Sequence, residues 1–227
     1  MFKPRIKFNT QINCISPCTG DRYNNSVDDW VGRDSCLELL KNWIIQDYSK
    51  VHDKYTSNQE LFSKIVPYRS GLSRFFETEI KGFKLLNEKK WVPVPKLIFY
   101  DHCEYPVTLT VTTGRKPEHN QDDYTILVGI IVTEKCGTSV GELYPDCIGV
   151  GPGTYSRDFL KNPEDVYFPA NSIPDFVRSQ IVNIIEILFD KGWSYDDIHG
   201  GNFLLKENKV YLIDLQSLIP LEESYPV

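Results

Sequence analysis

The segment from Trp193 to Gln216 limits the fold of this chain more than any other stretch of its sequence. It places Asp197 five residues before Asn202, with two glycines immediately before the asparagine, and it ends shortly after Asp214. The glycines allow the backbone to turn tightly between the first two polar residues. We therefore expect Asp197, Asn202 and Asp214 to act together at the end of a compact loop and hairpin.

Apolar residues at helical spacing predict three helices. The first covers residues 35–50, the second covers about 72–88, and the third runs from Phe176 to Phe189 with a stripe of isoleucine and leucine. Gly192 follows the third helix, as expected of a residue that ends a helix.

Strands are predicted between and after these helices. The predicted segments are Arg5–Ile12, Leu61–Pro67, Lys96–Tyr100, Val107–Thr113, Tyr124–Glu134, Phe203–Leu205 and Val210–Ile213. Gly114–Asp123 is polar and indicates a turn, whereas Tyr124–Glu134 is nearly continuous in apolar residues and predicts a strand buried on both faces. Glu207, Asn208 and Lys209 would form the turn of a terminal hairpin.

The order of these elements predicts an α+β protein with three parts. Residues 1–34 would be a turn-rich leader, residues 35–136 a strand-rich region, and residues 137–227 a helix, loop and hairpin region. A Gly/Pro-rich connection from Cys136 to Pro174 separates the last two parts.

Charge and cysteine content exclude several classes of protein. The chain has 227 residues and a net charge of −6, which disfavours coating of nucleic acid or of anionic lipid. No apolar run approaches the roughly 20 residues that span a bilayer, and no secretory signal is recognised. Cys14 and Cys18 lack the second ligand pair that a zinc site needs, so reduced thiols and a cytoplasmic or nuclear location are expected.

The polar set around Asp197 has the chemistry that phosphoryl transfer requires. A carboxylate such as Asp197 can accept the proton of an acceptor hydroxyl, and the transferred phosphate needs its charge neutralised. Mg²⁺ prefers hard oxygen ligands, which the side chains of Asn202 and Asp214 can supply. The residue types thus point to ATP and Mg²⁺ as the expected ligands.

This arrangement resembles the protein-kinase superfamily, in which a catalytic Asp precedes a metal-binding Asn by five residues and a metal-binding Asp follows two strands. Asp-Ile-His-Gly-Gly-Asn is most similar to the loops of aminoglycoside and choline kinases. The family's His-Arg is Tyr195-Asp196 here, and its Asp-Phe-Gly is Asp214-Leu215-Gln216. We expect Asp196 to be solvated and His199 to stabilise the loop by hydrogen bonding.

The resemblance extends upstream to about residue 60. It implies that Lys64 holds the ATP phosphates and pairs with Glu79, with Glu77 as the alternative partner. Thr133–Gly137 resembles the hinge segment that binds adenine, which makes Glu134 and Cys136 candidate ATP-binding residues.

Two departures from the family bear on function. No Gly-rich loop precedes Lys64, so a different turn or the leader would have to cover the phosphates. The sequence ends thirteen residues after Asp214, which implies a two-lobe fold with an incomplete helical C-lobe. Three functions follow: an atypical protein kinase, a small-molecule kinase, or a pseudokinase that binds nucleotide without turnover. The acceptor is therefore expected to be a protein or a small molecule.

Overall fold

A computed structural model describes residues 8–29, 32–69, 73–113, 116–145, 156–161 and 172–224. In chain order, the strands are β1 (Phe8–Ile15), β2 (Arg22–Asp29), β3 (Leu61–Arg69), β4 (Leu97–Thr113), β5 (Lys116–Glu134), β6 (Thr138–Ser139), β7 (Trp193–Tyr195), β8 (Phe203–Lys206), β9 (Lys209–Leu212) and β10 (Leu218–Pro220). The helices are α1 (Gly32–Val51), α2 (Asp53–Thr56), α3 (Ser73–Lys89), α4 (Val140–Leu143), α5 (Ser156–Lys161), α6 (Asp175–Asp190) and α7 (Leu221–Ser224). The mixture of helices and sheets confirms the α+β class.

The chain divides into two compact units. The first comprises the described residues within Met1–Ser73 and Phe99–Val132, and the second those within Arg74–Ile98 and Thr133–Val227. The division near residue 132 lies close to the expected boundary at 136. The helix α3 belongs to the second unit, although the sequence had grouped it with the strand-rich region.

The first unit is built on a five-stranded sheet in the order β2-β1-β4-β5-β3. The strand β1 pairs antiparallel with both β2 and β4. Side chains of β1 alternate between a buried face, which carries Ile12 and Cys14, and an exposed face. Helix α1 adds Leu40, Ile44 and Tyr48, spaced for one face, to the same apolar core.

Part of the predicted leader is therefore a hairpin of the sheet. Weak apolar periodicity concealed this hairpin because Ile12 shares the buried face of β1 with Thr10 and Cys14, and the apolar Ile15 lies on the exposed face with Gln11 and Asn13. The expected strand at Arg5–Ile12 begins outside the described residues and overlaps β1 from residue 8.

Two other strand predictions need correction. The expected strands Lys96–Tyr100 and Val107–Thr113 are parts of the single strand β4, and most of the expected turn Gly114–Asp123 belongs to β5. The polar residues in these extensions include the exposed Asp101 and Glu104 of β4 and residues 121–123 of β5, which are also exposed. The expected strand at Tyr124–Glu134 is confirmed, and residues 128–133 are all buried.

The second unit packs helices against small sheets. Strands β6, β8 and β9 form one sheet, and β10 pairs antiparallel with β7 in another. The apolar stripe of α6 is buried through Ile181, Ile184, Ile185 and Leu188, which confirms that predicted helix. The β8–β9 hairpin is confirmed as well, and its turn places Glu207 and Asn208 at positive φ, as a two-residue turn between twisted strands requires.

The segment between Cys136 and Pro174 is only partly described. It contains β6, α4 and α5, whereas residues 146–155 and 162–171 lie outside the described residues. The short helix α4 begins after Ser139, whose hydroxyl accepts a hydrogen bond from the Glu142 backbone N–H. The predicted helices at 35–50 and 72–88 are confirmed as α1 and α3.

Candidate functional site

The side chain of Asn202 holds Asp197 in place. Its Nδ2 donates to the backbone carbonyl of Asp197 at 2.9 Å and to the Oδ2 of the same residue at 3.0 Å. Asn202 is 4% exposed, whereas the side chain of Asp197 is 28% exposed. The buried amide thus fixes a carboxylate that solvent can still reach, as a general base requires.

His199 shapes the turn between these two residues. Its Nδ1 accepts a hydrogen bond from the Gly201 backbone N–H at 3.1 Å, so the proton of a neutral ring lies on Nε2. That Nε2 is 3.6 Å from Oδ2 of Asp197. A Cβ at Gly201 would come within 2.9 Å of the ring, which explains the glycine. The expected role of His199 as a loop-stabilising hydrogen-bonding residue is confirmed.

Asp214 lies beside Asn202 because the β8–β9 ladder continues by one step. The Ile213 N–H donates to the Asn202 carbonyl at 3.0 Å, and Asp214 follows directly. Asp214 has a left-handed backbone with φ of 56°, which is uncommon for a residue other than glycine. Gln216 Nε2 donates to its Oδ2 at 3.3 Å. Strained backbone of this kind is concentrated at functional sites.

Tyr195 is buried within the electrostatic influence of three carboxylates, those of Asp214, Asp197 and Glu79. Its hydroxyl donates to the carbonyls of Ile213 at 3.0 Å and Asp214 at 3.3 Å, and the residue is fully buried. Burial raises the pKa of Tyr195 well above its usual value, and the negative charges of Asp214, Asp197 and Glu79 raise it further. The phenol therefore remains a hydrogen-bond donor.

Neighbouring elements fix Tyr195 and Asp196. The Ser156 hydroxyl donates to the Tyr195 carbonyl at 2.9 Å and accepts from its N–H at 2.8 Å. Asp196 is half-buried, its carboxylate accepts a hydrogen bond from the Ser194 hydroxyl, and its N–H donates to the Ser217 carbonyl at 3.1 Å. The expectation that Asp196 is simply solvated is therefore wrong.

Glu79 faces the interior of the second unit. It is 2% exposed on α3, whereas Glu77 is exposed. Their predicted pairing with Lys64 stays a prediction. One turn further along α3, a Cβ at Gly82 would lie 2.9 Å from the Cβ of Leu215. The glycine thus allows α3 to approach the segment that follows Asp214.

Glu134 and Cys136 contact each other after the end of β5. The Cys136 thiol donates to Glu134 Oε1 at 3.4 Å, and the Glu134 N–H donates to the Lys96 carbonyl at 3.0 Å. Burial raises the pKa of Cys136 to about 11, and the hydrogen bond to Glu134 adds to the rise. Gly137 follows at φ of 72°, where a Cβ would lie 2.1 Å from the Leu205 carbonyl oxygen. The expected hinge is therefore tied to β8.

A surface groove of about 660 Å³ lies beside this hinge. Its lining includes Trp91, Pro93 and Tyr211 together with Glu134, all in the second unit. None of Asp197, Asn202 and Asp214 contributes to it, so it is separate from the polar set.

Lys64 belongs to the first unit, whereas all the other predicted site residues belong to the second. It is half-buried on β3, at one end of the sheet order. The hairpin formed by β1 and β2 is attached to β4, and both β4 and β5 lie between it and β3. The part of the leader that forms this hairpin does not flank the Lys64 strand.

Sequence reasoning missed Tyr195 and Ser156 as site-forming residues. Tyr195 stands where the kinase resemblance has histidine, and this replacement was the available signal. Nothing in the sequence indicated Ser156, because its hydrogen bonds depend on how α5 packs against β7.

Two further findings concern only the described part of the chain. There, no three or more His, Cys, Asp and Glu side chains form a metal-binding group, and no helix is long and apolar enough to cross a membrane. A magnesium site made of one amide, one carboxylate and phosphate oxygens would not form such a group. No protein-family model matches the chain, and no curated protein matches it by sequence.

Proposed function

We propose that the second unit is the catalytic part of an atypical kinase that transfers the γ-phosphate of ATP to a hydroxyl group. The observation that carries this proposal is the pair of hydrogen bonds from the Asn202 side chain to Asp197. Ile213, the residue before Asp214, donates its backbone N–H to the Asn202 carbonyl. A carboxylate, an amide and a second carboxylate are thereby gathered on one short loop and strand end. Membership of the protein-kinase-like superfamily is proposed together with this activity.

The donor set suits a hard divalent cation. Asp214 and Asn202 offer oxygen ligands, and Mg²⁺ is commonly held by one or two protein side chains with phosphate oxygens completing its shell. Bound there, Mg²⁺ would supply charge neutralisation for the phosphates. The left-handed backbone of Asp214 and its carbonyl contact with Tyr195 set the direction of that carboxylate before ligand arrives.

Asp197 suits the role of the base. Its carboxylate is held by the Asn202 amide and is partly open to solvent, so an acceptor hydroxyl can reach it. A protein and a small molecule both remain candidate acceptors, and the choline-kinase-like loop favours neither on its own. Lys64 belongs to the first unit, and its predicted role with the phosphates stays a prediction.

A second candidate function is nucleotide binding without turnover. It is favoured by the sequence before Lys64, which contains no glycine-rich loop to cover the phosphates. It is also favoured by the strand order, in which the β1–β2 hairpin is attached to β4 rather than to β3. Such a pseudokinase would use the same Asn202 and Asp214 to bind Mg-ATP but would not transfer phosphate. Either protein would work in the cytoplasm or nucleus, where thiols stay reduced.

The test is the transfer or release of γ-phosphate from labelled ATP in the presence of Mg²⁺. We expect wild-type turnover and a loss of about 100-fold or more in Asp197→Asn, because the base is removed while its shape is kept. Asp196→Asn is the matched control, since it changes the adjacent carboxylate and should retain most activity.

The outcomes separate the two candidates. Turnover that disappears in Asp197→Asn but persists in Asp196→Asn supports the kinase. Binding of Mg-ATP without turnover in the wild type supports the pseudokinase, and equal turnover in wild type and Asp197→Asn would contradict the assignment of the base.

A further inference from the structure

Two cysteines of the first unit lie side by side. Cys18 is exposed in the turn between β1 and β2, and Cys103 lies half-buried on β4. Their Sγ atoms are 3.1 Å apart, although the residues are 85 positions apart in sequence. Both are free thiols.

A buried carboxylate on α1 holds both cysteine-bearing elements. Asp47 accepts hydrogen bonds from the Ser16 hydroxyl at 2.5 Å and the Thr19 hydroxyl at 2.8 Å, on either side of Cys18. It also accepts one from the Tyr105 hydroxyl at 2.6 Å. Tyr105 lies two residues after Cys103 on β4 and therefore on the same face of the strand. Asp47 thus fixes the turn and β4 together.

The backbone of the turn is also well defined. Ser16 N–H donates to the Asp21 carbonyl at 2.8 Å, and Gly20 N–H donates to the Ser16 carbonyl at 3.0 Å. The Ser16 hydroxyl additionally accepts from the N–H of Cys18 at 3.3 Å and of Thr19 at 3.0 Å. Cys18 is therefore presented by a hydrogen-bonded turn whose position relative to Cys103 is set by the fold.

We propose that Cys18 and Cys103 form a reactive dithiol that a hydroperoxide converts into an intramolecular disulfide. A disulfide needs an S–S distance of about 2.05 Å, so the two sulfurs must approach by about 1 Å. A turn can make that shift by side-chain rotation and a small backbone adjustment. The site lies in the first unit and does not depend on the proposed kinase activity.

The reaction proceeds in two balanced steps. The exposed Cys18, after losing its proton, attacks one peroxide oxygen, the O–O bond breaks, and the departing oxygen leaves as an alcohol or as water. Cys18 is now a sulfenic acid. The Cys103 sulfur then attacks Cys18 Sγ, the S–O bond breaks, and the oxygen leaves as water with the thiol proton of Cys103. The two sulfurs together lose two electrons, which reduce the peroxide.

The two thiols differ in exposure and in pKa, as expected if Cys18 reacts with the peroxide before Cys103 reacts with Cys18. Burial raises the pKa of Cys103 to about 12, and its hydrogen bond with Cys18 raises it further, so Cys103 remains a thiol until its neighbour has reacted. Cys18 is the member of the pair that solvent reaches more readily. It is therefore the first site of attack, and Cys103 resolves the intermediate.

Two other cysteines provide an internal comparison. Cys14 is 2% exposed and Cys136 is 3% exposed. Burial raises the pKa of Cys14 to about 12 and that of Cys136 to about 11. Buried thiols of this kind are inert. Oxidation should therefore favour the pair over Cys14 and Cys136.

Disulfide formation would connect the β1–β2 turn to β4 across a long chain loop. Such a link restricts the unfolded chain and stabilises the folded unit. We expect the unfolding temperature of the oxidised protein to lie several degrees above that of the reduced protein, and dithiothreitol should restore the lower value.

The test treats the full chain with hydrogen peroxide, blocks the remaining thiols by alkylation and identifies cross-linked peptides by mass spectrometry. We expect a Cys18–Cys103 disulfide as the main product of monomeric protein. Cys103→Ser should instead accumulate a sulfenic acid on Cys18 that dimedone traps, and Cys18→Ser should lose most of the reaction. Cys136→Ser, a change in the other unit, should form the disulfide as the wild type does.

Positioning of the pair is tested by Ser16→Ala, with thermal unfolding measured alongside to show that the variant folds. This change removes one of the two hydroxyls that join the turn to Asp47 and leaves that of Thr19, so disulfide formation should slow several-fold while the unfolding transition is retained. If wild-type Cys18 instead forms links between molecules, or is oxidised to sulfinic acid without linking to Cys103, the proposal is overturned.

Discussion

Asp47 in the first unit and Asp197 in the second are both hydrogen-bonded carboxylates, but their surroundings differ. Asp47 is 1% exposed and accepts bonds from Ser16, Thr19 and Tyr105. Asp197 has a side chain that is 28% exposed and receives a hydrogen bond from the single amide of Asn202. The Asp47 carboxylate is buried and hydrogen-bonded to three hydroxyls of the protein. The Asp197 carboxylate is held by one side chain and is partly exposed to solvent.

This difference distinguishes Asp47, a structural carboxylate, from Asp197, which is proposed to take part in a reaction. A buried carboxylate must have its acceptor sites filled, because an unpaired buried charge is costly. A carboxylate that takes part in a reaction must remain reachable by its substrate. Substitution of Asp47 should therefore affect mainly stability, and substitution of Asp197 mainly activity.

The largest expected effect is that of Asp47→Ala on the free energy of unfolding. The change leaves two buried donors, the hydroxyls of Ser16 and Tyr105, without their acceptor and also removes the partner of the exposed Thr19, so we expect a loss of about 4 kcal/mol. Urea unfolding measures it, with hydrogen exchange on α1 and β1 to locate the effect in the first unit. Asp197→Ala is the paired change and should cost less than about 1 kcal/mol, because its site is partly solvated. Equal losses in the two variants would remove the distinction between them.

Gly137→Ala tests how the second unit holds the segment Thr133–Gly137 against β8. A Cβ there would lie 2.1 Å from the Leu205 carbonyl oxygen, and φ is 72°. We expect a loss of about 3 kcal/mol from the clash and the left-handed backbone combined. Thermal or urea unfolding measures it.

Gly192→Ala is the matched control for this prediction. Its φ is 82°, but its added Cβ would meet nothing within 4 Å. Only the backbone cost of about 1 kcal/mol should remain. Similar losses in the two variants would show that the close approach of Gly137 to β8 does not matter.

Tyr195→Phe should lower the free energy of unfolding less than Gly137→Ala does, and it should also lower the affinity for Mg-ATP. It removes the hydroxyl that donates to the Ile213 and Asp214 carbonyls. We expect a loss of about 1 kcal/mol in unfolding free energy, because a buried ring is kept and one hydroxyl is removed. Mg-ATP affinity should fall as well, since the Asp214 backbone is less constrained. Unchanged affinity would mean that Tyr195 supports the fold alone.

The smallest expected effect is the contribution of Asp47 to acid sensitivity. Burial raises the pKa of this carboxyl, but the hydrogen bonds from Ser16, Tyr105 and Thr19 outweigh burial and lower it below its ordinary value. Its folded pKa therefore lies below its unfolded pKa of about 3.9, so the stability it contributes is present above that pH and is lost as pH falls through the folded pKa. Protonation is milder than substitution, because a neutral carboxyl still accepts and donates hydrogen bonds.

Unfolding free energies of wild type and Asp47→Asn, measured from pH 5 downwards, test this sign. The wild type should lose stability more steeply than the variant over the acidic range. Parallel curves for the two proteins would contradict a lowered pKa at Asp47.

The sequence predicted elements whose signal is local and missed features that need tertiary contacts. Helices α1, α3 and α6 were predictable because their apolar residues repeat at helical spacing. The β8–β9 hairpin was predictable from its turn residues. Hairpin β1–β2 was not, because its buried face carries small polar residues and its partner β4 lies far along the chain.

The candidate site shows the same division. Residue types and spacing, together with the resemblance to the kinase loop, singled out Asp197, Asn202 and Asp214. This was possible because loop and hairpin lengths are local properties. Tyr195 required the β7–β10 pairing and the approach of Ser156 before its role could be seen. The coupling of Cys18 to Cys103 depends on β1 pairing with β4, which a residue count cannot reveal.

The central claim is that Asn202 and Asp214 bind a magnesium nucleotide, and calorimetric titration with Mg-ATP tests it most directly. The account predicts binding to the wild type, similar binding to Asp197→Asn, and a loss of at least about tenfold in Asp214→Asn, since a metal ligand is neutralised. Removal of Mg²⁺ by chelation should weaken wild-type binding to the same degree. Absence of binding to the wild type, or equal affinity in wild type and Asp214→Asn, would contradict the account.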